Sequence, residues 1–321
     1  MRNKISVIGA GNVGASVAQF LAVRDLGDVF LFDVIEGVPE GKALDMMEGT
    51  PHWATDSKIK GFTTVDKTNY SNMEGSDVIV VTAGLARKPG MSRDDLLAKN
   101  IEIIKDVAEN VKKYSPDSIV VIVSNPADTM AYAFQKVSGI NPKKIIGLGG
   151  SLDSSRFRTF LAEEIGVSVT DVNAFVIGGH GDDMVPFVRY SSVGGIPIEK
   201  ILSQEKIDEI VKRTRFGGGE IVNYLKTGSA YYAPGISITA MVESVLKDKR
   251  RMIPCAAFMD GEMAKHYGAN GLFIGLPIII GSNGVEKIFK IDFNEQEKSL
   301  WNKTVESVSS NARKVDEVLK A

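Results

Sequence analysis

Ile5-Ser6-Val7-Ile8-Gly9-Ala10-Gly11-Asn12-Val13-Gly14 is followed, nineteen residues after Gly14, by Asp33 at the end of a second apolar run, Val29-Phe30-Leu31-Phe32. The first β-branched run leads directly into G-x-G-x-x-G, and residues 15–23 continue with a helix-compatible pattern. In this strand–turn–helix setting Gly9 permits a tight turn, Gly11 lets the backbone approach a pyrophosphate, and Gly14 lets helix pack closely on strand. The amino terminus of the helix attracts the anion. Glycines alone would fit an ordinary turn. Asp33 decides for a dinucleotide, because a carboxylate there can accept hydrogen bonds from the adenosine ribose hydroxyls. The same charge repels a 2′-phosphate, which favours NAD over NADP.

Outward from this motif, strand-like runs at residues 5–8, 29–33, 78–82 and 119–124, with a weaker one at 145–148, alternate with amphipathic stretches. The clearest helix begins near Ser92, where Ser92 and Asp95 resemble a capping box. Its residues Leu97, Ile101, Ile104, Ala108 and Val111 step by four and three into one apolar stripe. Continuous Val/Ile strands alternating with helices imply an α/β fold with a Rossmann doubly wound parallel sheet. After about residue 147 the pattern changes. Short strand candidates at 172–177 and 278–280 mix with helical stretches at 206–226, 240–247 and 295–320. Residues 1–147 are therefore expected to form an NAD-binding Rossmann domain, and residues 148–321 an α+β substrate domain. Gly217-Gly218-Gly219, inside a helical pattern, predicts a break or kink.

A length of 321 residues suits two such units. With 44% hydrophobic and 24% charged residues the chain has enough apolar material for a substantial core, and a net charge of −2 offers no basic surface for nucleic acid or a membrane. No apolar run approaches the roughly 20 residues that span a bilayer. The first residues pass straight into a strand rather than a signal-peptide core. The single cysteine, Cys255, cannot form an intrachain disulfide, which fits a reducing, cytoplasmic compartment. No metal is expected.

Hydride exchange with a keto acid needs a proton donor, a carbonyl polariser and a carboxylate anchor. Of the three histidines, His180 stands in Gly178-Gly179-His180-Gly181-Asp182, where small neighbours leave the ring accessible for proton exchange near neutral pH. Taken alone it could equally be structural, and His52 and His266 have no comparable setting. Asp153, in Leu152-Asp153-Ser154-Ser155-Arg156, either simply begins a helix or holds the imidazole and stabilises its charged form. Arg156, three residues on, shares that helix face and can grip a carboxylate with its planar fork. Ala86-Arg87-Lys88-Pro89-Gly90-Met91-Ser92-Arg93 follows a strand at the carboxyl edge of the sheet, where ligands of such sheets bind. It reads either as a solvated basic loop or as a mobile lid. Ser124-Asn125-Pro126 closes another strand, so Asn125 should point into the same crevice.

Together, and in this order, these motifs resemble the lactate/malate dehydrogenase family over essentially the whole chain, and in detail its lactate-dehydrogenase-like malate dehydrogenase branch. The resemblance implies that His180 is the proton donor and acceptor, that Asp153 is its partner, and that Arg93 closes over the substrate and polarises its carbonyl. It implies that Arg156 binds the carboxylate beside the reacting carbon, and that Asn125, before a cis proline bond, contacts substrate and nicotinamide ribose. Asn100 and the backbone of Val123, Ser124 and Asn125 match cofactor contacts. A homodimer or homotetramer is the usual assembly. Asp128, where many relatives have asparagine, departs from the pattern without disturbing the site.

Arg87 separates the substrates. In the family this place is usually glutamine in lactate dehydrogenases and arginine in malate dehydrogenases. Oxaloacetate brings a second carboxylate for the arginine, whereas over the methyl of pyruvate the cation would be buried unpaired, at a cost of about 3–5 kcal/mol if fully desolvated. Ala230, where lactate dehydrogenases tend to have threonine, leaves room for the longer acid. The expected activity is reversible oxidation of (S)-malate to oxaloacetate with NAD. The rivals are a lactate or broad 2-hydroxyacid dehydrogenase and a non-catalytic NAD-sensing protein, although sensing would need no proton relay. Replacing the ribose-facing charge tests the cofactor assignment: Asp33→Ser should weaken NADH use and improve NADPH use. An unchanged NADPH/NADH ratio of kcat/KM would remove Asp33 from the ribose.

Overall fold

Six short strands, joined by helices and loops, build the first half of the chain in a computed structural model that describes residues 2–85, 93–180 and 183–320. In chain order they are β1 (Lys4–Ile8), α1 (Asn12–Val23), β2 (Asp28–Asp33), α2 (Val38–Trp53), β3 (Ile59–Thr63), β4 (Val78–Val81), α3 (Arg93–Tyr114), β5 (Ile119–Ile122), α4 (Ala127–Ser138) and β6 (Ile145–Gly147). The six strands pair in parallel in the order β6-β5-β4-β1-β2-β3. Every residue of β4 and β5 is buried, as helices on both faces of a parallel sheet require. β1 lies between β4 and β2, so strand order reverses beside it and leaves a crevice at the carboxyl ends. The stripe on α3 faces the core, with Leu97, Ile101, Ile104, Ala108 and Val111 all buried.

The second half begins with α5 (Gly150–Ile165) and five two-residue strands: β7 (Val172–Asn173), β8 (Val176–Ile177), β9 (Val185–Pro186), β10 (Ser192–Val193) and β11 (Ile196–Pro197). Then come α6 (Gln204–Leu225), α7 (Tyr232–Leu246), β12 (Arg251–Phe258), α8 (Gly261–Tyr267), β13 (Phe273–Gly281), β14 (Gly284–Ile288) and α9 (Glu295–Lys320). β12, β13 and β14 pair antiparallel and extend the large sheet beyond β6 to nine strands. The large sheet therefore continues past the point where the sequence pattern changes, but its pairing turns antiparallel there.

Several elements differ from the sequence-based expectation. β12 is not anticipated because it carries Pro254, which cannot donate to a ladder. The structure accommodates it by setting Pro254 opposite Pro277, while β6 reaches β12 only at Ala256 and Gly147. Edge strand β3 is weakly patterned, and its Gly61 admits the backbone of Pro39 to within 2.1 Å of where a Cβ would lie. The run at 172–177 divides, its ends pairing with β10 and β9 respectively. Gly217-Gly218-Gly219 makes no break: α6 continues through all three. The capping pair at Ser92, Arg87 with the rest of residues 86–92, and Gly181-Asp182 lie outside the described residues, and Arg93 is described only as the first residue of α3. No described helix is long and apolar enough to cross a membrane.

α9 closes the molecule through Trp301, Thr304, Val308, Ala312 and Val315, buried at helical spacing. Trp301 is wholly buried, its indole N–H donates to the Tyr267 carbonyl at 2.7 Å, and its ring lies 5.3 Å from those of Tyr267 and Phe293. Trp301→Ala should therefore cost about 3–5 kcal/mol, read as a fall in the urea midpoint of unfolding with an unchanged slope.

Candidate active site

β1 ends in a turn that only glycines can make. Gly9 has φ +108°, and its N–H donates to the Phe32 carbonyl at 2.8 Å. A Cβ on Gly9 would meet Thr82 Oγ1 at 2.6 Å, and one on Gly14 would meet the Gly9 carbonyl at 1.8 Å. Nothing lies within 4 Å of a Cβ placed on Gly11, and α1 starts at Asn12 without a side-chain cap. Open space over helical N–H groups suits a pyrophosphate. Val13 is half-buried against the core. Asp33 ends β2 with both oxygens at work: Oδ2 accepts the Ala10 N–H at 2.6 Å and Oδ1 the Ile35 N–H at 3.0 Å. Lys42, unremarked in the sequence, donates from Nζ to the Ala10 carbonyl at 2.6 Å. A cation is thus placed at the phosphate turn.

Across the crevice, Asp153 lies in the first turn of α5 with its side chain 1% exposed. Its Oδ2 is 2.8 Å from His180 Nδ1, and its Oδ1 accepts from Arg156 Nη1 at 3.2 Å. One buried carboxylate therefore holds both the imidazole and the guanidinium. The i,i+3 spacing of Asp153 and Arg156 makes this possible within one helix. Gly217 of α6 packs close to this guanidinium: a Cβ there would come within 3.2 Å of the Arg156 side chain. His180 is raised above the ordinary histidine range, chiefly by the Asp153 charge, with burial opposing. Nδ1 engages Asp153, so an imidazole held in this way can exchange a proton from Nε2.

The loop bearing His180 is pinned by three successive N–H groups. Gly178 donates to the Gly275 carbonyl at 2.8 Å, Gly179 to Thr304 Oγ1 at 2.8 Å, and His180 to Asp128 Oδ2 at 2.9 Å. Gly275 must be glycine, since its Cβ would fall 2.4 Å from the Gly178 carbonyl. Asp128, Thr304 and Gly275 are not distinguished as site residues by the sequence. Thr304 and Gly275 signal themselves only as a polar and a small residue interrupting apolar faces; Asp128 stands out only as a departure from the family's asparagine, and the structure sets it on the His180 loop rather than apart from the site. Asp128 in particular is 4% exposed, and burial pushes its carboxyl up to about 6.

A cavity of about 540 Å³ opens beside His180, lined also by Leu97, Asn125, Asp128, Asp183 and Thr304. Asn125 is exposed and precedes a cis bond to Pro126. Arg156 does not line this cavity and joins the group only through Asp153. Asn100 is almost wholly buried, and its side chain is occupied by the backbone: it accepts from Leu85 N–H at 2.8 Å and donates to the Asn125 carbonyl at 3.0 Å. It braces Asn125 rather than facing open space. Val123 and Ser124 are buried, the latter with its hydroxyl on the Ala83 carbonyl. Ala230 is half-buried in the link between α6 and α7. His266 Nε2 donates to the Ile291 carbonyl at 3.0 Å, away from the residues described above, and His52 lies in the last turn of α2.

Comparison with known proteins identifies the family. The family model for the lactate/malate dehydrogenase NAD binding domain matches residues 3–147, and that for the lactate/malate dehydrogenase alpha/beta C-terminal domain matches residues 150–318. The malate dehydrogenase of Thermoplasma volcanium is 73% identical over 319 residues, covering 99% of this chain and 98% of that protein. The apo malate dehydrogenase structure from Picrophilus torridus is 67% identical and superposes with a TM-score of 0.99 over 100% of this chain and 99% of that one. The lactate dehydrogenase of Cryptosporidium parvum, solved with lactic acid and nicotinamide adenine dinucleotide, is 43% identical with a TM-score of 0.93 over 98% of each chain. The chain belongs to the lactate/malate dehydrogenase family.

The electrostatics of the group can be tested without substrate. Asp153→Asn removes the charge that does most to favour the imidazolium, so His180 should titrate at lower pH. With three histidines in the chain, imidazole NMR can follow each one. A His180 titration unchanged by Asp153→Asn would mean that the two side chains are not paired in solution.

Proposed function

We propose that the protein catalyses the reversible, NAD-dependent oxidation of (S)-malate to oxaloacetate. The observation that carries this reading is the single buried carboxylate of Asp153 shared by His180 and Arg156. It ties an imidazole that can carry a proton to a guanidinium that can pair a carboxylate, the two kinds of group a 2-hydroxy acid needs. Relatives named malate dehydrogenase, at 73% and 68% identity in Thermoplasma volcanium and Picrophilus torridus, support malate as the particular acid.

The residues that would hold NAD are Gly9, Ala10, Gly11, Asn12, Val13 and Gly14 at the pyrophosphate, Asp33 at the ribose, and Asn100, Val123, Ser124 and Asn125 toward the nicotinamide, with Asn100 acting through Asn125. NAD bound there would supply the hydride acceptor for the alcohol carbon, and NADH the hydride donor for the ketone. His180 takes the hydroxyl proton during oxidation and donates it during reduction, while Asp153 steadies the charged ring. Arg93 would polarise the carbonyl, Arg156 would bind the carboxylate beside it, and Arg87 would pair the distal carboxylate.

His180 must enter malate oxidation neutral and oxaloacetate reduction protonated. Its raised titration places the acid limb of oxidation, and the alkaline limb of reduction, above the ordinary histidine range. The single cysteine, Cys255, is buried and supports a reducing, cytoplasmic setting. A homodimer or homotetramer is part of the same reading, as is a division into domains at residues 147 and 148.

Kinetics with oxaloacetate and pyruvate side by side test the substrate. Arg87→Gln removes a charge-assisted pair, so kcat/KM for oxaloacetate should fall by about 10- to 150-fold while that for pyruvate rises. Arg156→Gln should impair both substrates, because both carry the carboxylate next to the carbonyl. Equal losses for both substrates in Arg87→Gln would reduce the assignment to an unspecified 2-hydroxy acid.

A further inference from the structure

We propose that Asp128 is a second carboxylate for the proton-transferring histidine, a positioning residue that fixes His180 through its backbone N–H while its charge favours the imidazolium. This rests on His180 being the proton carrier of the reaction proposed above. The geometry is specific. Asp128 lies in the first turn of α4, is 4% exposed, and accepts the His180 N–H at 2.9 Å through Oδ2. Its Oδ1 has no hydrogen-bond partner among the described residues. A buried carboxylate with one hydrogen bond is poorly compensated. If the backbone N–H were all it served, an asparagine of the same shape would accept that bond without burying a charge. The carboxylate is accounted for once its charge acts on the ring next to it.

The surrounding groups show what the charge does. From α5, Asp153 faces His180 as an anion and Arg156 as a cation; from α4 comes Asp128; Asp94 of α3, Lys314 of α9 and Asp183 line the adjoining cavity. Thr304 of α9 is neutral. Burial and the nearby Asp153 charge both push the Asp128 carboxyl up, to about 6, while the His180 N–H and charge pull it down. An imidazolium thus has two buried carboxylates beside it, Asp153 on its ring nitrogen and Asp128 on its backbone N–H. When His180 gives its proton to the substrate oxygen during reduction, Asp128 loses that compensation. When His180 recovers the proton from the hydroxyl during oxidation, the compensation returns. Asp128 exchanges no proton with the substrate, and the hydride remains between cofactor and substrate carbon.

The test uses the full chain and Asp128→Asn, which keeps an acceptor for the His180 N–H and removes only the charge. Imidazole NMR should show His180 titrating at lower pH, with His52 and His266 unmoved, and the acid limb of malate oxidation should shift the same way. Asp128→Ala, which loses the acceptor too, should lower kcat on the order of 10- to 100-fold by misplacing the ring. Asp128→Asn should recover most of that loss, with NADH affinity unchanged in both variants. An unmoved His180 titration in Asp128→Asn overturns the proposal, and so does an asparagine variant as slow as the alanine one. If the alanine variant does not fold, the titration of Asp128→Asn decides alone. The titration is read without substrate, so a wild-type protein inactive on malate would refute the proposed function and leave this result readable.

Discussion

The burial of one charge, on Asp153, constrains the rest of the site. Taking a carboxylate out of water costs several kcal/mol unless it is paired and hydrogen-bonded. Asp153 meets that cost by giving one oxygen to His180 and the other to Arg156. Ring orientation and guanidinium position are thereby tied to each other. The tie requires α5 to lie close to the strand that leads to His180. Gly150 makes this possible, since a Cβ there would fall 2.5 Å from the Val176 carbonyl, and Ser154 Oγ accepts the Val176 N–H at 2.9 Å.

His180 is held from the other side by the backbone rather than the ring. The consecutive N–H groups of Gly178, Gly179 and His180 reach β13, α9 and α4 respectively. Two of these elements come from the second half of the chain and one from the first. Extension of the large sheet through β12 to β13 is what brings Gly275 alongside Gly178. The placement of His180 therefore depends on the packing between halves as much as on its own glycine-rich segment.

At the dinucleotide end a similar economy holds. Asp33 organises the turn before any ligand arrives, because its two oxygens accept N–H groups from Ala10 and Ile35. Each carboxylate oxygen has a further lone pair, so structural bonding leaves capacity for ribose hydroxyls. Lys42 on the Ala10 carbonyl adds positive charge where phosphates are expected. The turn is thus arranged for an anion by groups that also hold it together.

Local chemistry is legible in the residues themselves. The spacing of Gly9, Gly11, Gly14 and Asp33, the stripe on α3 and the adjacency of Asp153 and Arg156 are short-range patterns, and each appears in the structure as helix, turn or i,i+3 pair. The family resemblance names His180 through its glycine-rich surroundings for the same reason. Asp128, Thr304 and Gly275 could not be read that way, because 52, 124 and 95 residues separate them from His180 and only folding brings them to its loop. Nor could the continuity of α6 through three glycines, of which Gly217 packs closely against the side chain of Arg156 on another helix. Sequence by itself determined the dinucleotide turn and the alternating strands and helices, since these follow from backbone preference and period. Tertiary structure alone decided what holds the His180 loop, because Asp128, Thr304 and Gly275 reach it through space and not along the chain.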